Sequence, residues 1–158
     1  MKRLHKGSIE ELVELRHFTD APENGRGMPR RHGARILHAE DDNALREMCR
    51  HVLKREGYSV VGVSNGVDAW RAVEKQDFDL IITDHEMPCC TGYELISKLR
   101  HEHIHWPVIV TTGDGNPFRG HTSEWLDVAA ILEKPFGLKE LTATIGKLVW
   151  GGGVALKT

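Results

Sequence analysis

Four short stretches of this 158-residue chain hold side chains that could act together. They are the acidic run Glu40-Asp41-Asp42, Asp84 within LIITDHEMP, the hydroxyl pair Thr111-Thr112 within VIVTTG, and Lys134 within EKPF. Each follows a run of strand type, at residues 36–39, 79–83, 108–111 and 129–132. Open α/β sheets bind ligands beyond the carboxyl ends of their strands, so parallel strands would bring the four stretches to one edge. Clustered carboxylates repel one another and lose hydration unless a cation compensates them. A hard, oxygen-seeking divalent ion does so most economically, magnesium first among them. A lysine placed opposite, with a small hydroxyl between, suits phosphoryl oxygens.

The elements that must position these residues alternate along the chain. A fifth strand pattern covers residues 58–63, and helical spacing covers 43–56, 67–75, 93–101 and 138–149. The first helix is expected to face inward through Leu45, Met48, Cys49, Val52 and Leu53, with Gly57 ending it. Trp70 and Val73 serve the second in the same way, and Leu95, Ile96 and Leu99 the third. Only the connection at residues 113–128 is broken by Gly and Pro, with helical character confined to 123–128. Strands alternating with helices imply right-handed crossovers and a parallel sheet covered on both faces. The fold class is therefore α/β, a small doubly wound sheet of five strands. Three parts are expected: an N-terminal extension and linker at 1–33, the domain at 34–150, and a flexible tail at 151–158. The extension carries a capping-box pattern at Ser8-Ile9-Glu10-Glu11 and a Gly/Pro/Arg-rich linker.

Composition narrows the classes. The formal net charge is -2, against the basic excess of a charge-driven nucleic-acid binder. That average joins a net +2 over residues 1–34 to a net -4 over 35–158. Cys49, Cys89 and Cys90 form no spaced disulfide framework. The longest strictly apolar run, 128–132, has five residues, against the ~20 that a membrane span needs. No apolar run follows the basic start, so no signal peptide is expected and the predicted location is cytoplasmic.

These motifs, in this order, resemble the receiver domains of bacterial two-component response regulators. The resemblance covers about residues 34–150 and rests on HAEDD at 38–42, LIITDHEMP at 80–88 with Gly92 beyond it, VIVTTG at 108–113 and EKPF at 133–136. It implies a flavodoxin-like strand order, 2-1-3-4-5. It implies Asp84 as phosphoacceptor, with Mg2+ held by Asp41, Asp84, Glu40 (directly or through water) and the backbone carbonyl of Glu86. Thr112 matches the switch hydroxyl, Lys134 the lysine that pairs with the phosphoryl group, and Pro135 the proline that often follows a cis peptide bond. Gly113 matches a small residue that keeps the approach to Asp84 open. The implied phosphoryl donor is a phosphohistidine on a sensor histidine kinase or a histidine phosphotransfer protein. Output would come through an unidentified protein partner, with no direct DNA binding and no membrane contact. The chain would be a monomer or a weak dimer, through the face formed by strand 4, the helix expected after it, strand 5 and the last helix. Lys134→Ala is expected to damage transfer and switching more than folding.

The match departs from the family in places. Ile131 stands where an aromatic residue often couples to the switch hydroxyl, and Asp114 and Glu86 add negative charge near the entrance. His101, His103 and His105 alternate in a run, read here as a solvated loop rather than a metal site. His85 is read as a loop neighbour of Asp84, Cys89 and Cys90 as reduced thiols, Trp70 as core and Trp125 as core or partner-facing. His17 lacks a second long helix that would make it a phosphorylatable histidine of a bundle. Two rival functions remain: a phosphorylation-independent scaffold of the same fold, and a phosphate sink without a dedicated output. A dehalogenase-like phosphatase would want Asp, not Glu86, two residues after its nucleophile.

Overall fold

Apolar β-branched runs separated by capped amphipathic helices build a single parallel sheet. The computed structural model describes residues 33–113, 115 and 126–151. In chain order the elements are β1 (Arg35–Ala39), α1 (Asn43–Arg55), β2 (Ser59–Val63), α2 (Gly66–Val73), β3 (Leu80–Asp84), α3 (Gly92–His101), β4 (Val108–Thr112), β5 (Ala130–Glu133) and α4 (Leu138–Trp150). The sheet order is β2-β1-β3-β4-β5, all parallel, the flavodoxin-like order that the resemblance implied. β3 and β4 lie inside the sheet and are buried along their whole length, which is why their sequences read as unbroken apolar runs.

Because side chains alternate along a strand, the two faces collect different cores. Leu37, Ile81, Val108 and Val110 pack with α2 and α3 residues such as Ala69, Leu95 and Leu99. Ile36, Leu80, Ile82 and Ile109 pack with Cys49 and Leu53 of α1 and with Leu141 and Ile145 of α4. The same alternation carries Glu40, Asp84 and Lys134 to the α1/α4 side, four residues beyond Ile36, two beyond Ile82 and two beyond Leu132. Register sets Asp84 beside Thr111 and Thr112 beside Glu133.

Several expectations change at residue level. Met48 lies outside the core with 46% of its surface exposed, because the buried stripe of α1 runs through Cys49 and Leu53. Trp70 is half-buried against the core, its indole N–H donating to Glu74 and the Lys98 ammonium 4.1 Å from its ring centroid. Asp42 serves as the α1 N-cap, accepting from the Leu45 N–H at 3.0 Å. Asp114, Trp125, His17 and nearly all of the proposed extension and tail lie outside the described residues.

The two ends of α3 are fixed by different means. Thr91 and Glu94 form a reciprocal capping box at its start. At its other end Arg100, buried, donates to four backbone carbonyls, those of Ile104, Trp106, Leu126 and Asp127. Gly92 brings the start of α3 against β3: a Cβ there would come within 2.5 Å of the Asp84 carbonyl oxygen. Gly92→Ala should therefore lower stability by about 1–3 kcal/mol, as overpacking against rigid backbone does. Urea unfolding of the two proteins measures this, and an unchanged midpoint would refute the close approach.

Candidate functional site

The carboxyl ends of β1, β3, β4 and β5 meet at one edge of the sheet. Beyond β1, the Glu40 N–H is held by the Val63 carbonyl at 3.0 Å, and the Glu40 side chain turns inward until none of its surface is exposed. Its Oε1 accepts from the Asp42 N–H at 3.2 Å. Asp84 ends β3 with 4% exposure, and its Oδ1 accepts from the Glu86 N–H at 3.3 Å. Lys134, just past β5, reaches across the site: its Nζ lies 2.8 Å from Asp84 Oδ2 and 3.0 Å from Glu40 Oε2. Asp41 is exposed at the rim.

Electrostatics follow from that burial. Burial, joined by the nearby Asp84 charge, pushes the Glu40 carboxyl up, and the Lys134 hydrogen bond only partly opposes it, so its pKa remains above the ordinary value. Burial would lower the Lys134 ammonium, but the hydrogen bonds it donates to Asp84 and Glu40 outweigh it and hold the pKa above its usual value. The pair is thus unequal, with the lysine firmly charged and the glutamate reluctant. One rung deeper on the same face, His38 is held to about 4 by burial, aided by the charges of Arg46 and Lys134. Cys49, also on this face, is pushed up to about 11 by burial, which makes it an inert thiol.

Three carboxylates, from Glu40, Asp41 and Asp84, each offer an oxygen within 4.8 Å of the others. Lys134 supplies one positive charge against these three groups, so the set is under-neutralised. An all-oxygen, anionic donor set of this kind fits a hard divalent cation. Among the sequence-derived candidates, the structure brings together Glu40, Asp41, Asp84 and Lys134. Thr112 is fully buried at the end of β4, its carbonyl accepting from the Lys134 N–H at 2.7 Å. Glu86 contributes its backbone N–H to Asp84 while its side chain faces outward. A Cβ at Gly113 would meet no atom within 4 Å, so that approach is open. The Lys134–Pro135 peptide is cis.

Other singled-out residues fall elsewhere. Asp42 is committed to its cap and stands outside the three-carboxylate group. His101, His103 and His105 are all exposed and, among the described residues, are not part of a metal-holding group. Cys89 and Cys90 are free thiols, the first exposed and the second half-buried beside the start of α2. Ile131 is 45% exposed on β5. Sequence reasoning overlooked Arg46, whose guanidinium donates to the carbonyls of Glu40 and Asp41. Its only signal was the three-residue spacing from Asn43, a weak one.

Comparison with known proteins agrees with this geometry. Residues 36–146 match the response regulator receiver domain. The DNA-binding transcriptional regulator NtrC of Rhizobium meliloti is 33% identical over 115 residues, 73% of this chain but 24% of NtrC. The chain therefore spans about a quarter of that relative's length. The response regulator receiver protein CpdR of Brucella abortus is 32% identical over 115 residues, which cover 96% of CpdR. Among solved structures, the chemotaxis response regulator CheY4 of Vibrio cholerae superposes with a TM-score of 0.67 at 28% identity, over 73% of this chain and 98% of that one. TrrA of Thermotoga maritima, solved in complex with Mg(2+)-BeF, gives 0.65 at 30% identity with the same coverage. Among the described residues, no helix is long and apolar enough to cross a membrane. On the sequence match and the shared sheet order, this chain belongs to the response regulator receiver domain family.

Proposed function

We propose that this chain is a phosphoryl-accepting receiver, with Asp84 taking the group from a phosphohistidine on a sensor kinase or phosphotransfer protein. The observation that carries the reading is the Lys134 ammonium bridging Asp84 and Glu40 beside a three-carboxylate cluster. A carboxylate oxygen of Asp84 attacks phosphorus, the P–O bond forms as the P–N bond of the donor breaks, and the imidazole leaves with the bond's electron pair. Lys134 stabilises the charge on the phosphoryl oxygens, and the Thr112 hydroxyl hydrogen-bonds one of them in the product. Glu40, Asp41, Asp84 and the Glu86 carbonyl would hold Mg2+, which supplies charge neutralisation at the oxygens in transfer. The acyl phosphate then biases a two-state equilibrium that selects a protein partner.

The test is a titration with beryllofluoride, a phosphoryl mimic, followed by NMR with and without magnesium. Magnesium-dependent shifts of the Asp84, Thr112 and Lys134 amides are expected. A spectrum that beryllofluoride and magnesium together leave unchanged would favour a phosphorylation-independent scaffold.

A further inference from the structure

We infer that Arg46 is a positioning residue for the divalent cation, holding the turn that aims Asp41 and Glu40. The inference rests on the metal-dependent reading above and concerns a residue outside the proposed ligand set. Glu40 and Asp41 are the two residues between the end of β1 and the N-cap Asp42. From the first turn of α1, Arg46 Nη1 reaches back to the Glu40 carbonyl and, at 3.4 Å, to that of Asp41. Its Nη2 donates to Asn43 Oδ1 at 2.7 Å, which fixes the plane of the guanidinium. The stem lies over Gly62 of β2, where a Cβ would meet Arg46 Cγ at 3.4 Å.

Two successive carbonyls held by one planar group fix two successive peptide planes, and hence the direction of the intervening Asp41 side chain. Glu40 has other supports: its N–H bond to Val63 and its side-chain bonds to the Asp42 N–H and Lys134. Among the described residues nothing hydrogen-bonds to the Asp41 carboxylate, so its aim depends on its backbone alone. Arg46 supplies that backbone restraint.

This role makes a prediction opposite in sign to simple electrostatics. A guanidinium near a cation site repels the cation, so its removal should tighten binding if charge were all that mattered. As a positioning residue, its removal should weaken binding, by about tenfold or more on the scale of outer-shell losses. Mn2+ affinity, read from the EPR signal of the free ion, decides between them in the full chain. Arg46→Met is expected to bind Mn2+ about tenfold more weakly than wild type. Arg46→Lys, which keeps the charge but cannot span both carbonyls and Asn43, should not rescue it. Asn43→Ala should weaken binding in the same direction by less. Unfolding midpoints in EDTA identify any variant that fails to fold, in which case the remaining variants decide. Equal or tighter Mn2+ binding by folded Arg46→Met or Arg46→Lys would overturn the inference. Wild-type protein with no saturable Mn2+ binding would overturn the metal-dependent reading beneath it as well.

Discussion

Asp84→Asn is expected to abolish phosphoryl uptake from acetyl phosphate while leaving the fold intact. The amide keeps the shape of the carboxylate, and its oxygen can still accept from the Glu86 N–H that now bonds Oδ1. It carries no charge and is a poor nucleophile, so the P–O bond does not form. The loss should be about a thousandfold or more, in keeping with removal of a nucleophile from a preorganised site. Stability should change little, because two effects oppose. Lys134 loses a charge-assisted bond at 2.8 Å, yet a buried negative charge beside Glu40 also disappears. Intact-mass spectrometry after incubation with acetyl phosphate and magnesium reads the outcome. Labelling of the variant at the wild-type rate would remove Asp84 from the mechanism.

Lys134→Ala should have the second-largest effect, and the structure adds a cost to folding beside the greater expected damage to transfer and switching. Lys134 is the cation that compensates two buried carboxylates, Glu40 and Asp84. Removing one partner from such a set leaves buried charge unpaired, at a cost of about 3 kcal/mol. Protonation limits that cost. Burial already raises the Glu40 pKa, and loss of the lysine removes the main influence opposing it. A carboxylate whose folded pKa lies above its unfolded value binds more protons in the folded state. Its contribution is present at low pH and is lost as pH rises through the folded value. The variant should therefore lie closest to wild type near pH 5 and furthest below it near pH 8 in EDTA. Magnesium should restore more stability to the variant than to wild type, since the ion replaces the missing charge. Urea unfolding at both pH values, with and without magnesium, checks each part. A pH-independent deficit would mean that the lysine acts through packing rather than charge.

Much of the fold could be read from periodicity. The five strand patterns occur at their expected places, to within a residue or two at each end, because the runs near β3 and β4 are continuously apolar. The helix caps were less legible. Asp42 looked like a third member of an acidic triplet, yet its place before α1 makes it a cap, its carboxylate accepting from the Leu45 N–H. Met48 fitted the helical stripe by spacing but lies at its margin, where a long side chain needs no burial. Within the site, Glu40, Asp84 and Lys134 were legible because each follows a strand. Arg46 was not, because it acts on backbone atoms. A guanidinium that clasps carbonyls leaves no complementary residue type in the sequence to signal it.

Arg100 has a similar role at the opposite edge of the sheet, with an outcome for the chain's connectivity. Its guanidinium joins the backbone at Ile104 and Trp106, just before β4, to the backbone at Leu126 and Asp127, just before β5. A chain severed between residues 115 and 126 would keep that grip on the new end at Leu126, while the other new end would follow directly on β4. β4 would stay seated between β3 and β5, and the Leu126 side would stay tied to α3 by hydrogen bonds to main-chain oxygens that no titration removes. A reporter inserted into the β4–β5 connection should therefore leave the start of β5 anchored to α3.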